Sequence, residues 1–202
     1  MITYHELMGL FKKRWLQWNL KRSYAGDPQA MARLYRLQDP WDLNVPIEHF
    51  RFQETTRIIS ECIGEKFDSI LEIGCGEGLQ TQYLSPLTKR IVGIDLSRHA
   101  IKRARERRIQ NATFDTGDLS NYQRQGDNSF DLVTACEMMY YTSDLEKTYA
   151  SLNRLGNACV ATYCRRKYLL LDQFFSTKSV HVHTIRGPSS EWRLVWWRNK
   201  RS

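Results

Sequence analysis

One segment limits the folds open to this chain more than any other. In Leu71-Glu72-Ile73-Gly74-Cys75-Gly76-Glu77-Gly78, three glycines alternate directly after an apolar run. Ser69 to Ile73 reads as a short strand, and a helix is expected to follow the turn. A strand, a glycine turn and a helix in that order are the context that gives such a motif meaning. Glycines there let backbone approach a ligand closely and adopt angles that other residues avoid. The spacing is GxGxG. A nicotinamide or flavin site needs a third glycine at position 79, which is occupied by Leu79. The acidic Glu77 within the loop also argues against a diphosphate.

Two further acids fall where the same architecture would use them. Asp95 lies 21 residues after Gly74, at the end of a second strand, Arg90 to Asp95, where a carboxylate can accept both hydroxyls of a ribose. Asp118 follows a third, edge-like strand, Ala112 to Asp115, where an acid can meet an adenine amino group. A cationic sulfonium that also carries an ammonium group suits a loop with carboxylates around it. The remaining chain continues the alternation. Ser97 caps a helix through Arg108, and Phe130 to Ala135 is a fourth strand. Ser143-Asp144-Leu145-Glu146 has the capping-box form and opens a helix towards Leu155. Ala158 to Tyr163 is a fifth strand, and Leu169 to Phe175 a short helix. Val180 to Arg186 and Trp192 to Arg198, separated by Gly187-Pro188-Ser189-Ser190, read as a hairpin. Strands linked through helices imply a parallel sheet with right-handed crossovers. The hairpin adds antiparallel character at one edge.

The first third is helical. Leu7, Leu10, Phe11, Trp15 and Trp18 recur at helical spacing, with Lys12, Lys13, Lys21 and Arg22 mostly off that stripe. Asp27-Pro28 opens a second helix to about Gln38, broken at Asp39-Pro40-Trp41, and a third runs from about Ile47 to Cys62. The expected organisation is a helical N-terminal extension or lid over residues 1–46 and a catalytic domain over 47–202.

The glycine turn with Glu72, Asp95 and Asp118 resembles class I S-adenosylmethionine-dependent methyltransferases over about residues 47–200. The resemblance implies an α/β, Rossmann-like, seven-stranded and mostly parallel sheet, with S-adenosylmethionine as cofactor. It places Glu72 near the methionine ammonium, and Gly74, Cys75, Gly76 and Gly78 along the methionine moiety. Asp95 would hold the ribose, Leu96 would pack on adenine, and Asp118 and Leu119 would bind its edge. Tyr35-Arg36-Leu37-Gln38-Asp39-Pro40-Trp41, Glu48, Arg51 and Glu137-Met138-Met139-Tyr140-Tyr141 followed by Asp144-Leu145 are similar to the nodulation-factor N-methyltransferases. Those enzymes modify an amino sugar of a chitooligosaccharide, and related sequences occur in glycan and polysaccharide assembly. The resemblance implies a sugar or glycan acceptor and a segment before strand one that folds over the cofactor, with Trp41 as a lid residue or simply a core anchor.

Several methyltransferase chemistries lack their residues. The (Asp/Asn)-Pro-Pro-aromatic run of planar-amine enzymes is replaced by Ala135-Cys136-Glu137-Met138-Met139-Tyr140, and the Pro-Cys of cytosine enzymes by Ala135-Cys136. Strand five ends in Tyr163-Cys164-Arg165-Arg166, which would repel magnesium, so metal-independent transfer is expected. Such transfer is mostly positioning plus removal of one proton. Glu137, at the carboxyl end of strand four, is the first candidate for a base or an acceptor-orienting group; capping the next helix is the other reading. Tyr140 and Tyr141 either stack on a sugar ring or pack. His181 and His183 are alternative bases or structural strand residues.

The net charge of +8 concentrates at Lys12 to Arg22, Arg98 to Arg108 and Arg198 to Arg201. Such patches can attract nucleic acid, anionic lipid or phosphorylated substrates, or be solvated helix faces. The basic N-terminal helix could dock on a membrane surface or a partner glycosyltransferase. No nucleic-acid module or stacking motif is visible, which disfavours nucleic acid as a partner. The rival functions are an RNA or protein methyltransferase guided by that helix, and a non-catalytic binding module. Five scattered cysteines form no CxxC pair and suit reduced thiols, and no run reaches a membrane span or signal peptide. A cytoplasmic location is expected.

Overall fold

The computed structural model describes residues 28–119, 122 and 130–199. Seven strands form one sheet: β1 Phe67–Ile73, β2 Thr88–Asp95, β3 Ala112–Thr116, β4 Phe130–Cys136, β5 Gly156–Cys164, β6 His181–Arg186 and β7 Glu191–Arg198. Their order is β3-β2-β1-β4-β5-β7-β6. The first five pair in parallel, while β7 is antiparallel to both β5 and β6. The helices are α1 Pro28–Leu34, α2 Pro46–Cys62, α3 Leu79–Leu84, α4 Arg98–Glu106, α5 Leu145–Leu155 and α6 Tyr168–Phe175. This is the expected mostly parallel sheet with an antiparallel hairpin.

Parallel strands must be covered on both faces, which is why they read as nearly continuous apolar runs. Alternate residues of β1 and β5 go to opposite layers. Leu71, Ile73, Cys159 and Ala161 join Leu152, Leu155 and Phe175 of α5 and α6 on one face. Ile70, Ala158 and Val160 join Ile58, Ile59 and Leu84 of α2 and α3 on the other. Each fully buried aliphatic side chain contributes roughly 1.5–3 kcal/mol, so truncating Leu71 to Ala would weaken both the strand and its α5 contact.

Local signals set the helix ends. The Ser97 side chain accepts from the Ala100 amide (3.3 Å) and starts α4. Past its last turn Arg108 takes the left-handed conformation (φ 53°). Helix α5 is capped one residue later than the capping-box pattern predicts: Asp144, not Ser143, accepts from the Lys147 amide at 2.9 Å. Either side chain can cap, but a carboxylate at the positive end of the helix gains from the dipole as well. Helix α1 stops at Leu34, short of the expected Gln38. The chain turns at Asp39 (φ 42°), whose carboxylate accepts from the Leu43 (2.7 Å) and Asn44 (3.0 Å) amides. Such an Asx arrangement competes directly with helix propagation. Asp27 and the basic helix expected before it lie outside the described residues.

Strand β1 sits between β2 and β4, where the strand order reverses direction. In open α/β sheets the crevice beyond the carboxyl ends of the strands at that switch point is where ligands bind.

Candidate active site

The crevice is present. A cleft of about 1310 Å³ opens along the carboxyl ends of β1, β2, β4 and β5, lined by Glu72, Gly74, Asp95, Asp118 and Glu137 among others. That exceeds the roughly 300–1,000 Å³ of a single small-ligand pocket.

Its inner end is the glycine loop. Gly74, Gly76 and Gly78 all have positive φ (70°, 53° and 74°), a conformation that β-carbons make costly. A β-carbon on Gly76 would also lie 2.7 Å from the Tyr35 hydroxyl. Asp95 anchors the loop: its carboxylate accepts from the Gly76 amide at 3.0 Å and the Ser97 amide at 2.8 Å. Burial pushes its carboxyl up to about 6 despite those two donors. Glu72 is buried at the end of β1 and accepts from the Thr81 hydroxyl at 2.5 Å. Burial raises it to about 7, with Thr81 and Arg51 pulling the other way. Two buried acids with few donors carry a desolvation cost that further hydrogen-bond donors or a cation would relieve. Cys75 lines the same loop, and burial raises its thiol well above the usual range.

Leu96, Asp118 and Leu119 line the cleft beyond β2 and β3. Leu96 is 38% exposed, an apolar face left open at a strand end.

Glu77 differs from the role the loop suggested. It is absent from the cleft lining and is tied to the lid instead: its Oε1 accepts from Arg103 Nε (2.9 Å) and from the Asp39 amide (2.9 Å). The same guanidinium donates to the carbonyls of Tyr35 (2.6 Å) and Leu37 (3.0 Å). Arg107 donates to the Glu77 carbonyl. One arginine of α4 thus straps residues 35–39 over the glycine loop, with Tyr35 buried beneath. Trp41, on the same segment, lines the cleft with its ring centroid 5.5 Å from that of Tyr141.

The outer end is built around Glu137, which follows β4 with φ 54°. A non-glycine residue in this conformation costs about 1 kcal/mol and is held by its contacts. Its carboxylate accepts from the Tyr140 hydroxyl (2.8 Å), the Cys164 amide (3.1 Å) and the Thr162 hydroxyl (3.2 Å). Burial raises its carboxyl, opposed by Arg51, Tyr140 and Thr162. Arg51 is buried (2% exposed), bonded to Glu48 at 2.7 Å and to Gln80 Oε1 at 3.2 Å. Gln80 in turn donates to Cys136 Sγ at 3.2 Å. Tyr140 and Tyr141 lie 4.6 Å apart, and Lys167 Nζ sits 5.0 Å from the Tyr140 ring.

His181 is not part of this site. It is exposed on β6, stacked on Trp196 at 4.0 Å, while His183 Nε2 is contacted by the Trp196 indole N–H (3.3 Å). Both stand on a sheet face away from the strand ends that form the cleft, and neither lines it. Sequence reasoning passed over Gln80, Arg103, Lys147 and Arg186. Arg103 alone had a signal, an arginine on the glycine-loop side of α4 three positions after Ala100.

Comparison with known proteins agrees with this geometry. Residues 70–157 match the methyltransferase domain family. Nodulation protein S of Bradyrhizobium diazoefficiens is 30% identical over 130 residues, covering 63% of this chain and 60% of that protein. A 2-heptyl-1-hydroxyquinolin-4(1H)-one methyltransferase of Mycobacteroides abscessus is 31% identical over 112 residues, 53% of this chain and 44% of the relative. The chain thus spans about 60% or less of the length of these two relatives. Among solved structures, the N-methyltransferase NodS of Bradyrhizobium japonicum, crystallised with S-adenosyl-L-homocysteine, superposes with a TM-score of 0.70 at 24% identity, covering 86% of this chain and 98% of that one. Magnesium protoporphyrin IX methyltransferase of Synechocystis, with bound S-adenosylmethionine, gives 0.65 at 12% identity, covering 86% and 98%. The family match over residues 70–157 and the fold shared with these solved methyltransferases point the same way.

Proposed function

We propose that this chain transfers a methyl group from S-adenosylmethionine to a hydroxyl or amine of a sugar or glycan acceptor, without a metal. The observation that carries the reading is one cleft holding both halves of such a reaction: a positive-φ glycine loop between Glu72 and Asp95, continuous with Glu137, Tyr140 and Tyr141. The donor set fits the cofactor. Buried carboxylates suit an ammonium and a ribose diol, and a β-carbon on Gly74 or Gly76 would press on Met138 (3.0 Å) or the Tyr35 hydroxyl (2.7 Å), so the loop stays bare of side chains on that side. The bound cofactor supplies an electrophilic methyl on a sulfonium. Glu72 would hold the ammonium, Asp95 the ribose, Leu96 and the Asp118-Leu119 pair the adenine, and Trp41 would close over the methionine end.

The residues beyond the loop would position the acceptor and move its proton. A phenol that donates to Glu137 retains acceptor capacity of its own. An acceptor N–H or O–H can therefore donate to Tyr140 Oη while the Tyr140 proton passes to Glu137. A carboxyl raised by burial is better matched to that task than an ordinary one. Tyr141 and Trp41 offer flat apolar faces against which a sugar ring can stack. The kinship with nodulation protein S and the amino-sugar chemistry implied by the sequence resemblance support the acceptor class. The basic Arg165, Arg166 and Lys147 on the cleft lining favour a reaction without a divalent ion there.

The test is calorimetric titration with S-adenosylhomocysteine. Micromolar binding by the wild type, weakened about tenfold or more in Asp95→Ala, is expected. Absence of binding to folded wild type would overturn the reading. Radiolabelled methyl transfer then separates acceptors: label in amino-sugar oligosaccharides is expected, and label in polynucleotide or polypeptide alone would displace the sugar.

A further inference from the structure

The outer rim of the cleft carries positive charge that the proposed reaction leaves unused. Arg165 and Arg166 follow β5, Lys147 lies in the first turn of α5, and Arg186 ends β6; all four line the cleft. Topology brings them together. Strand β7 runs antiparallel to both β5 and β6, so β5 and β6 point the same way and end at the same rim. Trp192 is in register with both Cys164 and Ile185, which fixes the ends of the two strands one β7 width apart.

The acids nearby are engaged elsewhere. Glu191 bonds Arg186 (3.3 Å) and accepts from the Tyr168 hydroxyl (3.2 Å), and Asp144 caps α5. Glu48 and Glu137 are held by Arg51 and by Tyr140, Thr162 and Cys164 as described. Arg165, Arg166 and Lys147 have no ion pair among the described residues. All four are exposed, so water screens their mutual repulsion, but like charges collected at the rim of a concave cleft still raise a positive potential that attracts an anion. Paired guanidinium forks match phosphate geometry better than lysines would.

We propose that this rim binds a phosphate group carried by the acceptor, so that the molecule methylated is a phosphorylated sugar and not a neutral one. The inference rests on the methyltransferase reading and names the substrate class of the same site. The phosphate has two possible carriers: a soluble sugar phosphate or a lipid headgroup. Leu169 and Leu170, 88% and 50% exposed just beyond the arginines, would meet the acyl boundary in the second case.

The experiment uses the full chain saturated with S-adenosylhomocysteine. It is titrated with glucosamine 6-phosphate and with glucosamine, and separately floated with phosphatidylcholine vesicles with and without phosphatidic acid. The doubly substituted Arg165→Gln/Arg166→Gln protein is compared with Arg98→Gln/Lys102→Gln, which removes the same charge from exposed positions of α4. At least about tenfold tighter binding of the phosphosugar than of glucosamine is expected, lost in the first variant and kept in the second. Arg165- and Arg166-dependent flotation with phosphatidic acid alone would identify the lipid as the carrier. Equal binding of both sugars with no selective flotation would overturn the proposal, as would equal losses in the two variants. S-adenosylhomocysteine binding, measured first on each protein, shows whether the failure belongs to this inference or to the methyltransferase reading beneath it.

Discussion

At the glycine loop, Glu72 and Asp95 are buried with one hydroxyl and two backbone amides between them, and burial lifts their carboxyls to about 7 and about 6. At the end of the neighbouring strand β4, the partly buried Glu137 accepts from three donors and lies in the field of Arg51. The first pair is held short of partners and the second is nearly saturated. The contrast separates two uses of a buried acid. A buried acid short of partners stays costly until a donor reaches it, whereas one already holding several donors is largely compensated in place.

Replacing Glu137 is the largest perturbation and tests the saturated half. Glu137→Ala strands three donors and removes a counter-charge of Arg51, and it should cost about 3 kcal/mol in urea unfolding. Glu137→Gln keeps an oxygen for Tyr140 and should cost about 1 kcal/mol. A loss in Glu137→Ala below about 1 kcal/mol would erase the difference between the two ends.

Glu72 tests the unsaturated half through pH. Its folded carboxyl titrates near 7, above its unfolded value, so its contribution is fully present below the unfolded value and is lost as pH rises through about 7. Wild type without ligand should therefore lose on the order of 2 kcal/mol between weakly acid and weakly alkaline pH. Glu72→Gln should flatten most of that slope, leaving the smaller part due to Asp95, while S-adenosylhomocysteine affinity falls. An unchanged slope would show that the burial of Glu72 is compensated after all.

His181 supplies the smallest effect. Standing outside the cleft on Trp196, it should tolerate His181→Ala within about 0.5 kcal/mol of stability and leave S-adenosylhomocysteine affinity unchanged. A tenfold loss of methyl transfer in that variant would bring β6 into the catalytic end.

The same division explains what could be read from the chain. The loop half is local: a strand, a turn and a helix within about a dozen residues, then an acid at the next strand end, so the meeting of Gly74, Gly76 and Asp95 in one cleft could be read from spacing, and that of Glu72 from the family resemblance. Glu77 misled because its partner, Arg103, sits on another helix 26 residues on. The outer half is assembled from α2, the β4–α5 connection, the end of β5 and the β6–β7 turn, and no spacing rule spans those separations. His181 looked available because alternation on an edge strand does not reveal which neighbour covers it. Ser143 and Asp144 both cap well, so only coordinates decide between them. The basic segment from Lys12 to Arg22, with the membrane or glycosyltransferase docking suggested for it, lies outside the described residues. Among those residues, no helix is long and apolar enough to cross a membrane.

The placement of β7 between β5 and β6 also dictates an order of assembly. A ribosome releases β6 before the strand that must separate it from the sheet, so β6 has nowhere to pair until β7 is made. The two close on each other first, across a four-residue turn, and then dock together onto β5 across a far longer loop. During synthesis the glycine loop can therefore form while the rim bearing Arg186 does not yet exist, and the outer half of the cleft is the last to be completed.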